Sequence, residues 1–538
     1  MAISIQRTCT VLLALAALAI FPNVAKSQDA TFPLGPEAMS GAKRELQPNG
    51  YHKYSILLAD GEGVLASVIQ TGVDVVVDIL GPTQRLIQSV DRSAVGELEN
   101  IQFTANEGGE HTIVVRPYNQ EEADGSYVLR LEEILDLQAN TLRVARQTYP
   151  TETLFKLWQS SRTDDYGITA FIEQHADRHI IEAIPGNDKE MLVTYFTVAG
   201  DDTEYVMQSG GPDYFGLRFQ RMAGTHFYYA MQQVPVDARF IYGFNYFKLN
   251  TAGPAREIEL RDMFHGYDSV VVMPEAPRSA WLVTRDGEES GKLEQFVLQS
   301  GQMGEERSLT VYTPPAFNPA VEHSLLIVFD GEDYASAQGN APDWGNWVAA
   351  PTILDNLSAE NRIGPTVAIF VDSMGKRDSD MPSKAFADFV ALELIPWVRA
   401  RYSIADGPSH VVLAGASRGG YAAANIAYEH PTIVGNVLSQ SGSFWIKGTT
   451  DENHPIWPRD DGRLITVFKQ SDRLPIRFYM EVGLYDVGSG MLGTNRQIRD
   501  ILELKGYELD YREFIGGHAY ANWRVSFADG LISLLGDP

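Results

Sequence analysis

Alternation of apolar and polar positions dominates the first quarter of the chain. It predicts strands over 51–58, 64–70, 74–80, 99–104, 109–116 and 127–131, since a period of two puts every apolar side chain on one face. Asp60-Gly61, Gly81-Pro82, Glu107-Gly108-Gly109 and Asp124-Gly125 separate them, and these residue types favour tight turns. The spacing predicts a β-sandwich over 28–136. Residues 141–174 carry a helical period and read as a linker. A second set of strands is expected at 192–197, 205–208, 215–221, 226–231 and 240–249, an all-β, immunoglobulin-like domain over 137–272. It carries Phe227, Tyr228, Tyr229, Tyr242, Phe244, Tyr246 and Phe247, more aromatic surface than one small core needs, so one face is expected to pack on the domain that follows.

From 273 onward the pattern changes. Runs at 325–329 and 411–414 are continuously apolar, as in strands covered on both faces by helices, and 477–482 and 509–515 read as further strands. Helical periods at 421–428 and 494–505 lie among them, the second ending at Gly506. The fold class is therefore α/β for 273–538, preceded by two all-β domains.

Chemistry enters at the strand exits. The run Val411-Val412-Leu413-Ala414 passes into Gly415-Ala416-Ser417-Arg418-Gly419-Gly420-Tyr421 and then a helix. Strand, sharp turn, serine, helix is the setting of a nucleophile elbow, and the glycines remove Cβ atoms that would clash there. In α/β-hydrolases an acid and then a histidine follow at later strand exits. Asp486 follows the strand at 477–482, and His518 follows Gly516-Gly517 after the strand at 509–515. Ser417 is thus the expected nucleophile, His518 the general base and then acid, and Asp486 the group that orients the imidazole. Glu481 is the alternative acid, but it sits inside its strand. The oxyanion hole needs two backbone N–H donors: Arg418 is expected to supply one, and the loop Gly331, Glu332, Asp333 after the 325–329 strand the other.

These residues carry a resemblance. Gly415-Ala416-Ser417-Arg418-Gly419-Gly420, the block Val437-Leu438-Ser439-Gln440-Ser441-Gly442-Ser443-Phe444-Trp445, and Gly516-Gly517-His518 with Asn522-Trp523-Arg524 resemble the enterochelin esterase family. Met273-Pro274-Glu275-Ala276-Pro277 resembles its linker, and residues 221–228 resemble a signature of its amino-terminal β domain. The resemblance covers roughly 150–538 and implies an α/β-hydrolase fold, a Ser417, His518, Asp486 triad and a siderophore trilactone substrate, with a role in iron acquisition. Two positions depart from it. Ala519 stands where the family often has Asp, and Arg377-Asp378-Ser379-Asp380-Met381 with Lys384 replaces Arg-x-x-Glu-Leu with a following Asn. Arg377, Lys384, Arg418 and Arg524 are candidate cations for an anionic substrate, with ordinary ion pairing as the alternative, and for Arg418 its place beside the nucleophile favours a substrate-facing role. Trp445 and Trp523 are candidate stacking surfaces for aryl groups. The amino-terminal strands resemble a bacterial pre-peptidase carboxyl-terminal domain, an accessory module of secreted hydrolases.

Composition narrows the setting. Residues 1–27 read as a signal peptide: Arg7, an apolar run over 11–21 too short to span a bilayer, and Ala25-Lys26-Ser27 as cleavage site. The one cysteine, Cys9, lies inside it, so no disulfide is expected in the exported chain, as suits a bacterial periplasmic or secreted protein. With 43 basic against 70 acidic side chains the net charge is −27, a surface that repels nucleic acid and anionic membranes. No membrane insertion, cofactor or metal site is expected; Asp74, Asp78 and Asp91 read as turn caps rather than a calcium site. The expected partner is a small-molecule ester, and the oligomeric state is open. A feruloyl or acetyl esterase acting on polysaccharide and a catalytically silent binding module remain as alternatives.

Overall fold

The computed structural model describes residues 31–34, 41–119, 124–135, 137–162, 166–213, 216–248, 254–256, 269–285, 287, 289–335, 348–448 and 461–536. The expected signal peptide over 1–27, with Cys9, lies outside them. The chain divides into two compact units, Met1–Pro150 and Thr151–Pro538.

In the first unit the strands form two sheets. One runs Thr31–Pro33, His52–Leu58, Gly109–Pro117, Val75–Leu80, Leu86–Val90; the other runs Lys43–Leu46, Gly125–Leu135, Gly63–Thr71, Leu98–Thr104. Inward positions of both sheets, among them Val64, Val77, Ile101, Ile113 and Val115, share one core. Thr31–Pro33, Lys43–Leu46 and Leu86–Val90 had no counterpart in the sequence pattern, because runs this short show no period. The helix Leu137–Thr148 belongs to this unit as well, so the expected boundary at 136 moves to Pro150. Val144 explains it: the side chain is buried and fills the space where a Cβ on Gly63 would stand, 2.5 Å away.

The second unit opens with two helices, Glu152–Ser161 and Tyr166–Gln174, the first capped by the Thr151 hydroxyl, which accepts the Leu154 N–H. A four-stranded sheet follows, in the order His179–Ile184, Asn187–Val198, Phe227–Pro235, Gln220–Arg221. Of the strand expected at 215–221 only Gln220–Arg221 is present among the described residues. Thr203–Gly210 and Arg239–Lys248 pair with each other, and Arg239 then pairs in parallel with Gly516. The all-β region is therefore continuous with the sheet that follows, and no boundary falls at 273. Phe240 packs against Tyr485, ring centroids 5.8 Å apart, whereas the aromatics named from the sequence pack on rings of their own region: Phe227 on Phe196, Tyr242 on Tyr195 and Phe244, and Phe247 on Tyr205.

The main sheet comprises β1 (Lys292–Ser300), β2 (Glu305–Thr313), β3 (Ser324–Phe329), β4 (Thr366–Val371), β5 (Val411–Ala416), β6 (Asn436–Gln440), β7 (Arg477–Tyr485) and β8 (Glu508–Gly517). Their order is β1-β2-β4-β3-β5-β6-β7-β8. The β1–β2 and β2–β4 pairings are antiparallel, and every pairing from β4 to β8 is parallel. The continuous apolar runs now have a cause. Leu325, Ile327, Phe329 and Leu413 enter one core, while Leu326, Val328, Val412 and Ala414 enter another on the opposite face. Four helices matter for the site: α1 (Gly331–Tyr334), α2 (Arg418–Glu429), α3 (Gly488–Leu504) and α4 (Tyr520–Leu535). Parallel pairing of β3, β5, β7 and β8 brings their carboxyl ends, and the residues that follow them, to one edge. Among the described residues no helix is long and apolar enough to cross a membrane.

Leu413 is fully buried in the strand that presents Ser417. Leu413→Ala is expected to lower unfolding free energy by about 2–5 kcal/mol, read from the denaturant midpoint.

Candidate active site

The turn between β5 and α2 holds Ser417 at φ 57°, ψ −117°, a conformation that L residues rarely adopt. Three backbone bonds keep it there. The Ser417 N–H donates to the Gln440 carbonyl at 2.8 Å, while the Ser443 and Tyr421 N–H groups donate to the Ser417 carbonyl at 2.9 and 3.1 Å. Two glycines leave the necessary room: a Cβ on Gly415 would lie 2.7 Å from the Gly419 carbonyl carbon, and one on Gly420 2.5 Å from the Ser439 hydroxyl. The serine thus stands at the positive end of a twelve-residue helix.

β7 and β8 deliver the other two groups. His518 Nδ1 lies 2.6 Å from Asp486 Oδ1, which also accepts the Val487 N–H at 2.7 Å. Both side chains are buried. An aspartate on Nδ1 fixes the tautomer and leaves Nε2 for proton transfer. The edge of Trp523 packs on the imidazole, centroids 4.8 Å apart and planes at 88°. Glu481 does not make this contact; its carboxylate points to another face of β7 and bonds Gln440, Ser526 and Tyr479.

Ser417 and His518 line one cavity of about 450 Å³. Asp330, Glu332, Asp333, Ser373, Arg377, Asp378, Arg418, Ser443 and Tyr520 supply its polar lining, and Trp445, Val487, Met491 and Trp523 its apolar lining. Ser443 Oγ is 3.3 Å from Ser417 Oγ. The sequence reading missed Ser443, Ser373, Asp330 and Asp378 as lining residues. Ser443 was legible in the 437–445 block, because β6 runs beside β5 and ends at the same edge.

The candidate oxyanion donors separate. Asp333 is excluded, since its N–H already donates to the Asp330 carbonyl at 2.9 Å. Gly331 is buried and serves close packing: a Cβ there would sit 2.7 Å from the Phe370 carbonyl carbon and Val371 nitrogen of β4. Glu332, in the first turn of α1, lines the cavity, as does Arg418 in the first turn of α2.

The candidate cations also divide. Arg377 lines the cavity but donates to Asp330 Oδ1 at 2.7 Å and to the Ala416 carbonyl at 2.9 Å, bracing the residue before the nucleophile. Arg418 pairs with Asp378 at 2.7 Å and lies over the Trp445 ring at 5.3 Å. Lys384 does not line the cavity; it is exposed and pairs with Asp388 one helical turn on, at 2.6 Å. Arg524 does not line it either, because α4 turns that side chain into the protein, where it is buried. Trp445 and Trp523 both reach the cavity.

Residues 300–534 match the family model described as putative esterase. The iron(III) enterobactin esterase of Dickeya dadantii is 27% identical over 285 residues, covering 50% of this chain and 61% of that protein. The iron(III) enterobactin esterase of Escherichia coli K12 is 27% identical over 278 residues, 49% of this chain and 62% of that protein. This part of the chain is thus similar to the iron(III) enterobactin esterases. The chain spans about six tenths of the length of the curated relatives it matches. Among solved structures, the enterochelin esterase of Shigella flexneri superposes with a TM-score of 0.52 at 23% identity, over 67% of this chain and 96% of that one. The ferric enterobactin esterase of Salmonella typhimurium gives 0.53 at 22%, over 68% and 98%. These likenesses establish an α/β-hydrolase-like fold.

One carboxylate beside the cavity gives a pH prediction. Burial, and secondarily the charge of Glu332, push the Asp372 carboxyl up to about 6 from 3.8. The folded state then holds a proton that the unfolded state has released, so this contribution is complete below pH ~4 and fades as pH rises through ~6. Asp372→Asn is expected to shrink the loss of Tm between pH 4 and pH 7. An unchanged loss in thermal melts at the two pH values contradicts the assignment.

Proposed function

We propose that the protein is a serine esterase that cleaves carboxylic esters through an acyl-enzyme on Ser417. The observation that carries the reading is the buried Asp486–His518 contact at 2.6 Å, in a cavity shared with a serine on a strained turn. In the proposed cycle Ser417 Oγ attacks the ester carbonyl as His518 Nε2 takes its proton. The N–H groups of Arg418 and Glu332 meet the developing oxyanion, where such donors act most strongly. Collapse expels the alcohol, which leaves with the proton from His518. Water, deprotonated by the same nitrogen, then attacks the acyl carbon and frees Ser417.

The proposed substrate is a siderophore ester of the enterochelin trilactone type. Support comes from the iron(III) enterobactin esterases among the relatives and from the 437–445 block of the sequence. One observation favours a second reading, a feruloyl or acetyl esterase. Among the described residues, Asp330, Glu332, Asp333 and Asp378 line the cavity with only Arg377 and Arg418 to offset them, and each arginine pairs with one of those aspartates. Such a lining disfavours a polyanionic ferric complex and suits an uncharged aryl ester. The residue 1–27 pattern supports export to the periplasm or medium, with the first β unit as an accessory module.

Hydrolysis of p-nitrophenyl acetate is expected from the wild-type protein. Ser417→Ala should reduce it by at least about a thousandfold, and Asp486→Asn by a similar factor at neutral pH. A wild-type protein inert on every ester tested leaves the binding-module reading in its place. The kcat/KM values on iron-free and ferric catecholate trilactone and on methyl ferulate decide the substrate.

A further inference from the structure

Glu481 is a carboxylate with 1% of its surface exposed, and the proposed reaction does not use it. Ionised carboxylates are costly to bury, so its presence in the middle of a sheet calls for a reason. Three donors surround it: Gln440 Nε2 at 2.8 Å and the Ser526 hydroxyl at 2.5 Å on Oε1, and the Tyr479 hydroxyl at 3.2 Å on Oε2. Burial pushes the carboxyl up to about 7 against the pull of those donors.

Gln440, itself fully buried, lies directly across from Glu481 in the β6–β7 ladder. With Oε1 accepting from Gln440 and Ser526, the Gln440 amide is held with Nε2 facing β7. Nε2 also reaches the Trp523 carbonyl at 2.8 Å, and Oε1 is left to accept the Tyr334 hydroxyl at 3.1 Å. The Gln440 backbone carbonyl accepts the Ser417 N–H. One residue therefore grips three parts of the site. It holds the nucleophile through its main chain. It holds α4 at Trp523, whose ring packs on His518 and whose indole N–H donates to Ser441 Oγ at 3.2 Å. It holds α1 at Tyr334, in the turn that carries Glu332.

We propose that Glu481 and Gln440 form a buried positioning pair that sets Ser417, His518 and the Glu332 turn at their working separations. The proposal rests on the esterase reading above. Neither side chain touches substrate, so their effect is expected in the chemical step and not in binding, where misplacement by about 1 Å can cost up to ~100-fold.

The test measures kcat and KM on p-nitrophenyl acetate at 25 °C, with circular dichroism and Tm for each variant. Glu481→Gln keeps an acceptor for Gln440 and Ser526 and should hold kcat within about threefold of wild type. Glu481→Leu removes the acceptors and should lower kcat about 10–100-fold with KM within about twofold. A merely structural role would lower Tm and leave kcat of the folded variant alone. Tyr334→Phe removes one hydroxyl from the far side of the amide and decides the matter should Glu481→Leu not fold; it should lower kcat about 3–10-fold with KM unchanged. A folded Glu481→Leu within about threefold of wild-type kcat overturns the proposal; so does an unchanged Tyr334→Phe where Glu481→Leu does not fold. If wild type shows no Ser417-dependent turnover, the esterase reading fails instead.

Discussion

The site depends on holding a serine backbone where L residues do not go unaided. At φ 57° Ser417 leaves β5 and enters α2 within one residue, and nothing in its own side chain favours that. The conformation persists because the surroundings over-determine it. Gln440, Ser443 and Tyr421 take up its two backbone polar groups, and backbone and hydroxyl atoms occupy the space beside Gly415 and Gly420. Gln440, Ser443 and the Ser439 hydroxyl beside Gly420 all need β6 seated beside β5 in one register, so the catalytic geometry is a property of the sheet and not of the turn alone.

The same dependence explains what was readable in the amino-acid sequence. Ser417 lies at the exit of a fully apolar strand, Asp486 and His518 follow the exits of two later strands with glycines beside them, and a parallel sheet sends all such exits one way. β1 and β2 gave no such signal, since they lie at the antiparallel edge with mixed burial along their length. The helix Leu137–Thr148 was readable as a helix in part, but its attachment includes Val144 packing on Gly63, 81 positions earlier, which no local period reveals. For Lys384, of the two readings offered, the ion pair is the one present. A lysine matched to a motif position carries no sign of its partner, and here Asp388 lies one turn away on the same helix.

Charge around the cavity follows a consistent rule. Arg377 and Arg418 flank the nucleophile, yet each is engaged by an aspartate whose own place is fixed by a neighbouring turn. Arg377 in particular joins the residue that opens α1 to the carbonyl before Ser417, so the loop after β3 and the elbow after β5 are braced by one planar group. Their first task is architectural, and the field left over for a ligand is more acidic than a count of arginines suggests.

The pairing of Arg239 with Gly516 falls two residues before His518. Without the strand Arg239–Lys248, β8 would present an open ladder at the very end that carries the imidazole, and an open edge both frays and recruits foreign strands. The β segment Arg239–Lys248 is thus a scaffold member of the histidine arm. An expression boundary drawn just ahead of the α/β part would yield a fragment holding every reacting group and lacking the splint for one of them.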